Sequence, residues 1–269
     1  MTSFAVSNIA WSAEEDEEAC RILQATGIQL IEAAPLKLWP EGIPVSPGRI
    51  KVEKDRLKAF GLEISGFQAL FFTKGHLNMF DPETNGLLLE YFKQIIRLCS
   101  DAGGRYVVFG APSNRKIPDG MASQQTFDVA AGFFGKSGDY ALECGISIGI
   151  EPIPTNFGCN FLTTIDEVVD LVVSVSSPGV HLHLDTGEIA ANHENIPDVI
   201  IKNSSLIRSL HISEPELGDF SVPWPGHNEM AMLLNDYCPS CIFSVEMKRP
   251  AMGLNSLRNA LGFVMDTYS

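Results

Sequence analysis

Residues 147–185 read SIGIEPIPTNFGCNFLTTIDEVVDLVVSVSSPGVHLHLD and contain one full repeat of the pattern that organises the chain. In Ser147–Ile153, Ser147, Gly149 and Glu151 share one face and Ile148 and Ile150 the other, the period-two signature of a strand. A segment punctuated by Pro152, Pro154 and Gly158 follows as a loop. Thr164-x-x-Glu167 has the spacing of a capping box, in which the two side chains satisfy the free N–H groups of a helix start, and Ile165–Val175 supplies the helix. Val180–Asp185 then alternates again, with His181, His183 and Asp185 opposite Val180, Leu182 and Leu184. Two strands joined through a helix must run parallel.

The same unit recurs in both directions. The other strand candidates are Phe4–Ala10, Gln29–Ala33, Glu63–Phe67, Tyr106–Gly110, Ile207–Ser213 and Ile242–Met247. Helices are expected over Ala13–Thr26, Val52–Phe60, Glu83–Ala102, Thr126–Glu143, Glu229–Tyr237 and Asn255–Thr267. Gly27, Gly61, Gly103 and Gly145 stand where a helix passes into the next strand, a position that often requires positive φ. Ser12-x-x-Glu15 reads as a second capping box and Asp81-Pro82 as an N-cap followed by Pro at the first helical position. Eight units in 269 residues leave about 34 residues each, enough for a strand and a crossover helix. The economical α/β arrangement is a closed (β/α)₈ TIM barrel occupying residues 1–269 as one domain, because closure removes both sheet edges. A doubly wound open sheet normally carries a glycine-rich loop after its first strand, and Ser7-Asn8-Ile9-Ala10-Trp11 has no glycine. Pro35–Arg49 and Pro215–Gly226 are long, Pro/Gly-rich connections after strands, which points to functional loops on one face.

Composition narrows the function. Hydrophobic residues make up 45% of the chain and charged residues 19%, as in globular proteins. The formal net charge is −14, and the densest basic spots are the pairs Arg115-Lys116 and Lys248-Arg249. Such a surface repels a phosphate backbone, so nucleic acid is not an expected partner. No run of about 18 apolar residues suggests a membrane span. Met1–Trp11 lacks the basic start and apolar core of a secretion signal. The six cysteines are scattered, and Cys238-x-x-Cys241 lacks the second pair that zinc would need and the helix start that a redox motif would need. A cytoplasmic protein acting on a small molecule is the expectation.

In a barrel, functional groups come from the C-terminal ends of strands. Alternation places Glu151, Asp185, His211 and Glu246 on inward faces, each at the end of its own strand, with separations of 34, 26 and 35 residues. Three carboxylates converging on one point repel one another unless a positive charge sits between them. A divalent cation meets that need, and mostly oxygen donors with one nitrogen suit Mn²⁺, Mg²⁺ or Co²⁺, with Zn²⁺ also in range. His183 is in phase but deeper and is read as supporting the ligands.

Ile150-Glu151-Pro152, Leu184-Asp185-Thr186-Gly187, Leu210-His211-Ile212-Ser213-Glu214 and Val245-Glu246-Met247-Lys248 together resemble the xylose-isomerase-like TIM-barrel superfamily. Within it the chain is most similar to the sugar phosphate isomerase/epimerase group, close to ketose 3-epimerases, over essentially its whole length. The resemblance implies one divalent metal ion, manganese foremost, held by Glu151, Asp185, His211 and Glu246. It also implies that Glu151 and Glu246 act as an acid/base pair on opposite faces of a sugar or sugar phosphate, through an enediolate stabilised by the metal. A dehydratase of a cyclic polyol or keto acid is the alternative on the same site; an abasic-site endonuclease and a non-catalytic sugar-binding barrel are further from the pattern. The ketose 3-epimerases carry a His and an Arg that help hold the substrate where this chain has Glu188 and Leu217. Substrate contacts are therefore assigned to Gln68, Glu188, His227 and Lys248, with Arg115 and Lys116 either clamping an anionic group or solvated as loop charge. Barrels of this group are often dimers or tetramers, which makes a homo-oligomer an expectation from the resemblance alone.

Overall fold

A computed structural model describes residues 3–269, so Met1 and Thr2, the start of the Met1–Trp11 segment, lie outside the described residues. The strands are β1 (Ser3–Ser7), β2 (Leu30–Ala33), β3 (Glu63–Phe67), β4 (Tyr106–Phe109), β5 (Ser147–Ile150), β6 (Val180–Asp185), β7 (Ile207–Ile212) and β8 (Ile242–Val245). Each pairs in parallel with its sequence neighbours, and β1 pairs with β8, so the sheet closes into a (β/α)₈ barrel. Most strands end earlier than alternation suggests. Glu151 and Glu246 lie just past β5 and β8, yet each still donates its N–H to the neighbouring strand, to Phe109 and Ile212 respectively. The chain is thus leaving the sheet while still anchored, which carries both carboxylates over the barrel mouth.

The helices are α1 (Asp16–Thr26), α2 (Pro35–Leu38), α3 (Pro47–Lys58), α4 (Asn85–Ala102), α5 (Ser123–Glu143), α6 (Ile165–Val175), α7 (Thr186–Ala191), α8 (Ile196–Asn203), α9 (His227–Tyr237) and α10 (Leu254–Tyr268). α2 and α7 are additional to the expected helices, and α8 is the crossover helix that the eight-unit pattern requires between β6 and β7, where no bounds are assigned from sequence. α7 begins directly at the end of β6, with the Asp185 carboxylate as its cap. Gly27, Gly61, Gly103 and Gly145 all hold φ between +69 and +93°. The Thr164 hydroxyl caps α6 as expected, while Glu167 reaches back to the N–H of Thr163. Asp81-Pro82 is not the start of α4. Its carboxylate accepts from the Glu83 N–H and the Thr84 hydroxyl in a preceding turn, and Thr84 takes the cap position. The Ser12–Glu15 pair likewise braces a turn, with Glu15 accepting from the Ser12 N–H and α1 starting after it.

Two apolar layers result from strand alternation. Outward residues such as Phe67, Phe109, Ile150, Leu184, Leu210 and Phe243 pack against the helices, all at 0% exposure. Each such side chain contributes about 1.5–3 kcal/mol on burial, an upper bound because the unfolded chain is itself partly collapsed. Inward, Ala5, Tyr106, Val108 and Ile242 form a separate small plug with Leu30 packed on it. Tyr106 fits because β3 presents Gly66 to it; a methyl group there would sit 2.7 Å from the tyrosine ring. Above this plug the interior is polar. No helix among the described residues is long and apolar enough to cross a membrane.

Candidate metal centre and cleft

The four strand-end residues converge. Glu151, Asp185, His211 and Glu246 are all buried, and one ligand atom from each lies within 4.8 Å of the others. The Nδ1 atom of His211 stands 3.3 Å from Glu151, 3.7 Å from Asp185 and 3.1 Å from Glu246. Nδ1 is buried and makes no hydrogen bond of good geometry to any of the three, although their charges act on the ring. A buried nitrogen facing three carboxylates with no hydrogen bond among them has the layout of ligands around a common cation, and the donor set fits one.

The supports are specific. The far nitrogen of His211, Nε2, lies 2.8 Å from Glu32 Oε2. The same carboxylate accepts from the Tyr106 hydroxyl at 2.7 Å and the Ser244 hydroxyl at 3.1 Å. A carboxylate only accepts, so Nε2 carries the proton and Nδ1 presents its lone pair to the cluster. Asp185 is divided in the same way. Its Oδ1 accepts from the Glu188 N–H at 2.9 Å and the Ser213 hydroxyl at 2.5 Å, while Oδ2 faces His211. Gly110 makes room for Glu151, since a methyl group there would overlap the carboxylate.

Electrostatics agree with that layout. With no cation between the carboxylates, burial opposes charge on His211 but Glu246 and Glu32 outweigh it and draw a second proton onto the ring, at Nδ1, the proton that a bound cation would replace. Burial raises Glu246 to about 7 and pushes Glu151 up as well. Glu188 is driven well above the carboxylate range by burial and then by Glu151 and Asp185. The surplus negative charge that a divalent cation would neutralise is therefore local to this point.

Two cavities of about 300 and 290 Å³ meet at Glu151. Gln68, Phe72, Val108, Asn114 and His211 line the first; Asn156, Phe157, Asp185, Glu188 and Glu246 line the second. Among the described residues, no lysine or arginine lines either one.

The substrate residues expected from sequence divide sharply. Gln68 faces the first cavity and donates to the Ser7 hydroxyl at 2.6 Å, and Glu188 faces the second. Arg115 is neither an anion clamp nor solvated. It is fully buried, donating to the carbonyl oxygens of Glu151 at 2.8 Å and Leu162 at 3.3 Å, because the short 3₁₀ turn Pro112–Arg115 folds it under the loop. Lys116 and Lys248 are exposed and line neither cavity. His227 is buried away from the cleft, between Glu214 at 3.0 Å and the Tyr268 hydroxyl at 2.7 Å, because it opens α9 instead of extending the preceding loop. His183 lies under the ligands, 2.8 Å from the Ser209 hydroxyl. Glu32 and Tyr106 escaped the sequence reading. The signal for Glu32 was present, as the single charged residue within Gln29–Ala33.

A sequence profile of the xylose isomerase-like TIM barrel family matches residues 20–236. The chain belongs to the xylose isomerase-like TIM barrel family. Solved structures with this fold include an L-ribulose 3-epimerase, 18% identical with a TM-score of 0.79, covering 100% of this chain and 95% of its own. A D-psicose 3-epimerase from Clostridium cellulolyticum H10, solved with D-tagatose, is 14% identical, with a TM-score of 0.81 and full coverage of both chains. An AP endonuclease, family 2, from Brucella melitensis is 15% identical, with a TM-score of 0.78 and 99% coverage of both. No curated protein matches the sequence. Structures titled as ketose 3-epimerases and as an AP endonuclease thus share this backbone, so the fold by itself does not decide the chemistry.

Proposed function

We propose that the chain is a divalent-metal-dependent epimerase or isomerase of an unphosphorylated sugar. The observation that carries this reading is the convergence of Glu151, Asp185, His211 and Glu246 within 4.8 Å, at the junction of two sugar-sized cavities. The bound cation would supply Lewis acidity, stabilising the negative charge that develops on a substrate carbonyl oxygen. Glu151 and Glu246 stand just past the ends of β5 and β8 with Asp185 and His211 between them, which suits a base and an acid acting from two sides. One glutamate takes the proton from the carbon beside the carbonyl, and the electron pair moves to oxygen as an enediolate. The other returns a proton to the opposite face, inverting the carbon.

The lining supports a neutral substrate. A phosphate in either cavity would meet Glu188 or Glu151 and no lysine or arginine side chain. Amides and hydroxyls such as Gln68, Asn114 and Asn156 suit sugar hydroxyls instead. The test is a screen of free ketoses and their phosphates with Mn²⁺ in D₂O, reading exchange of a substrate C–H proton. Exchange is expected for a free sugar and lost in Glu246→Gln while circular dichroism shows the fold intact; undiminished exchange in that variant would refute the role of Glu246. Product mass unchanged supports the epimerase, and a product lighter by one water would assign the dehydratase instead.

A further inference from the structure

Two imidazoles in the barrel interior share one arrangement. His211 is tethered through Nε2 to Glu32, and its Nδ1 is buried with no hydrogen-bond partner. His183 is tethered through Nδ1 to the Ser209 hydroxyl, and its Nε2 is also buried with no partner. His183 is at 0% exposure, with its ring centroid 4.2 Å from that of His211. A buried polar atom left unpaired costs about 1–3 kcal/mol, so two such nitrogens side by side call for a physical reason.

Their surroundings supply one. A ligand atom of His183, one of His211 and a carboxylate oxygen of Glu151 lie within 4.8 Å of one another. This triad shares Glu151 and His211 with the four-residue cluster above it. The backbone makes room for the second ring. Gly149 on β5 faces it, where an added methyl would sit 2.9 Å from His183 Cβ. The β6–β7 register shifts between Leu182 and His183, which brings Ser209 opposite His183 to hold it. Such irregularities re-aim side chains next to functional sites.

We propose that His183 is itself a metal ligand, giving the cation an inner position held by Glu151, His183 and His211. The inference rests on the metal-centre reading above and deepens it. A second imidazole changes the chemistry of the donor set. Carboxylates with one nitrogen accommodate Mg²⁺ or Mn²⁺, whereas two nitrogens shift preference toward Zn²⁺, Co²⁺ or Ni²⁺.

The first test needs no variant. In the Cu²⁺-loaded protein, pulsed electron paramagnetic resonance should count two coordinated imidazoles; one would overturn the proposal. Calorimetric titration of wild type and His183→Leu with Zn²⁺ and with Mn²⁺ is the second. Zn²⁺ affinity should fall at least about tenfold in the variant, with Mn²⁺ affinity changed much less. Equal losses for both ions, or unchanged Zn²⁺ affinity, would assign His183 to packing. If His183→Leu does not fold, the wild-type spectrum decides. A wild-type protein that binds no divalent ion removes the metal-centre reading as well, whereas binding through a single imidazole removes only this inference.

Discussion

Glu32 touches no part of the cleft, yet it receives hydrogen bonds from Tyr106, Ser244 and His211. Its effect is to select the His211 tautomer and aim the ring. Replacing it tests whether the cluster depends on orientation as much as on ligand identity. Glu32→Gln keeps the size, but its amide adds donors where only acceptors fit, and it removes the charge that favours the Nε2 proton. Metal affinity by calorimetry is expected to drop about 10–100-fold with the fold retained; an unchanged affinity would show that the ring is held by packing alone. The four proposed ligands were legible in the sequence because a period of two puts all of them on one face at strand ends. Glu32 stands out only as the one charged residue of Gln29–Ala33; its role was not legible, because its partners come from β4, β7 and β8. Arg115 was misjudged because an arginine is exposed or paired with a carboxylate far more often than it is buried against carbonyls.

At the scale of elements, Arg115 ties two loops together. It leaves the loop after β4 and donates to the Glu151 and Leu162 carbonyls and the Cys159 sulfur in the segment after β5. Those loops carry the walls of both cavities. Arg115→Met removes a buried charge, which helps, but takes the guanidinium donor from the Glu151 carbonyl, which costs more; the Leu162 carbonyl keeps the Ile153 N–H at 3.0 Å. A net loss of about 1–3 kcal/mol is expected in urea unfolding. Because the guanidinium does not face the cleft, the variant should leave the preference between a sugar and its phosphate unchanged; a selective loss of the phosphate would return Arg115 to an anion-binding role. Strand positions and the long helices were legible because each spans several hydrophobic periods. α2 and α7 span four and six residues, too short to show one. α8 had the signals, with Asn195 capping its first turn and Pro197 inside it, and it supplies the crossover helix that the eight-unit pattern requires between β6 and β7.

For the whole molecule, the closed barrel was readable as eight repeats, while the placement of its negative charge was not. The net charge of −14 counts residues without saying that several carboxylates are buried at one point. That concentration couples stability to pH in a direction that reverses when a cation binds. Burial raises Glu246 from an ordinary 4.5 to about 7, so between these values the folded state holds more protons than the unfolded state. Stability from this group is therefore fully present below about 4.5 and lost as pH rises through 7. A shift of that size corresponds to roughly 2–4 kcal/mol. Other groups also titrate in this range; burial and Arg208 lower His181 to about 4, which has the opposite slope. The comparison must therefore be a difference between wild type and Glu246→Gln, in chelator, by urea unfolding from pH 5 to 8. Near pH 5 the two should be nearly equal, since a protonated glutamate resembles glutamine, and by pH 8 the wild type should be the less stable. Saturating Mn²⁺ or Zn²⁺ should invert that order, because ligation uses the ionised carboxylate and releases its proton. At a thousandfold excess over Kd the wild type would gain about 4 kcal/mol, and Glu246→Gln less. A wild-type-to-variant gap that stays constant across this pH range in chelator would mean that Glu246 is not held above its ordinary pKa in the metal-free protein.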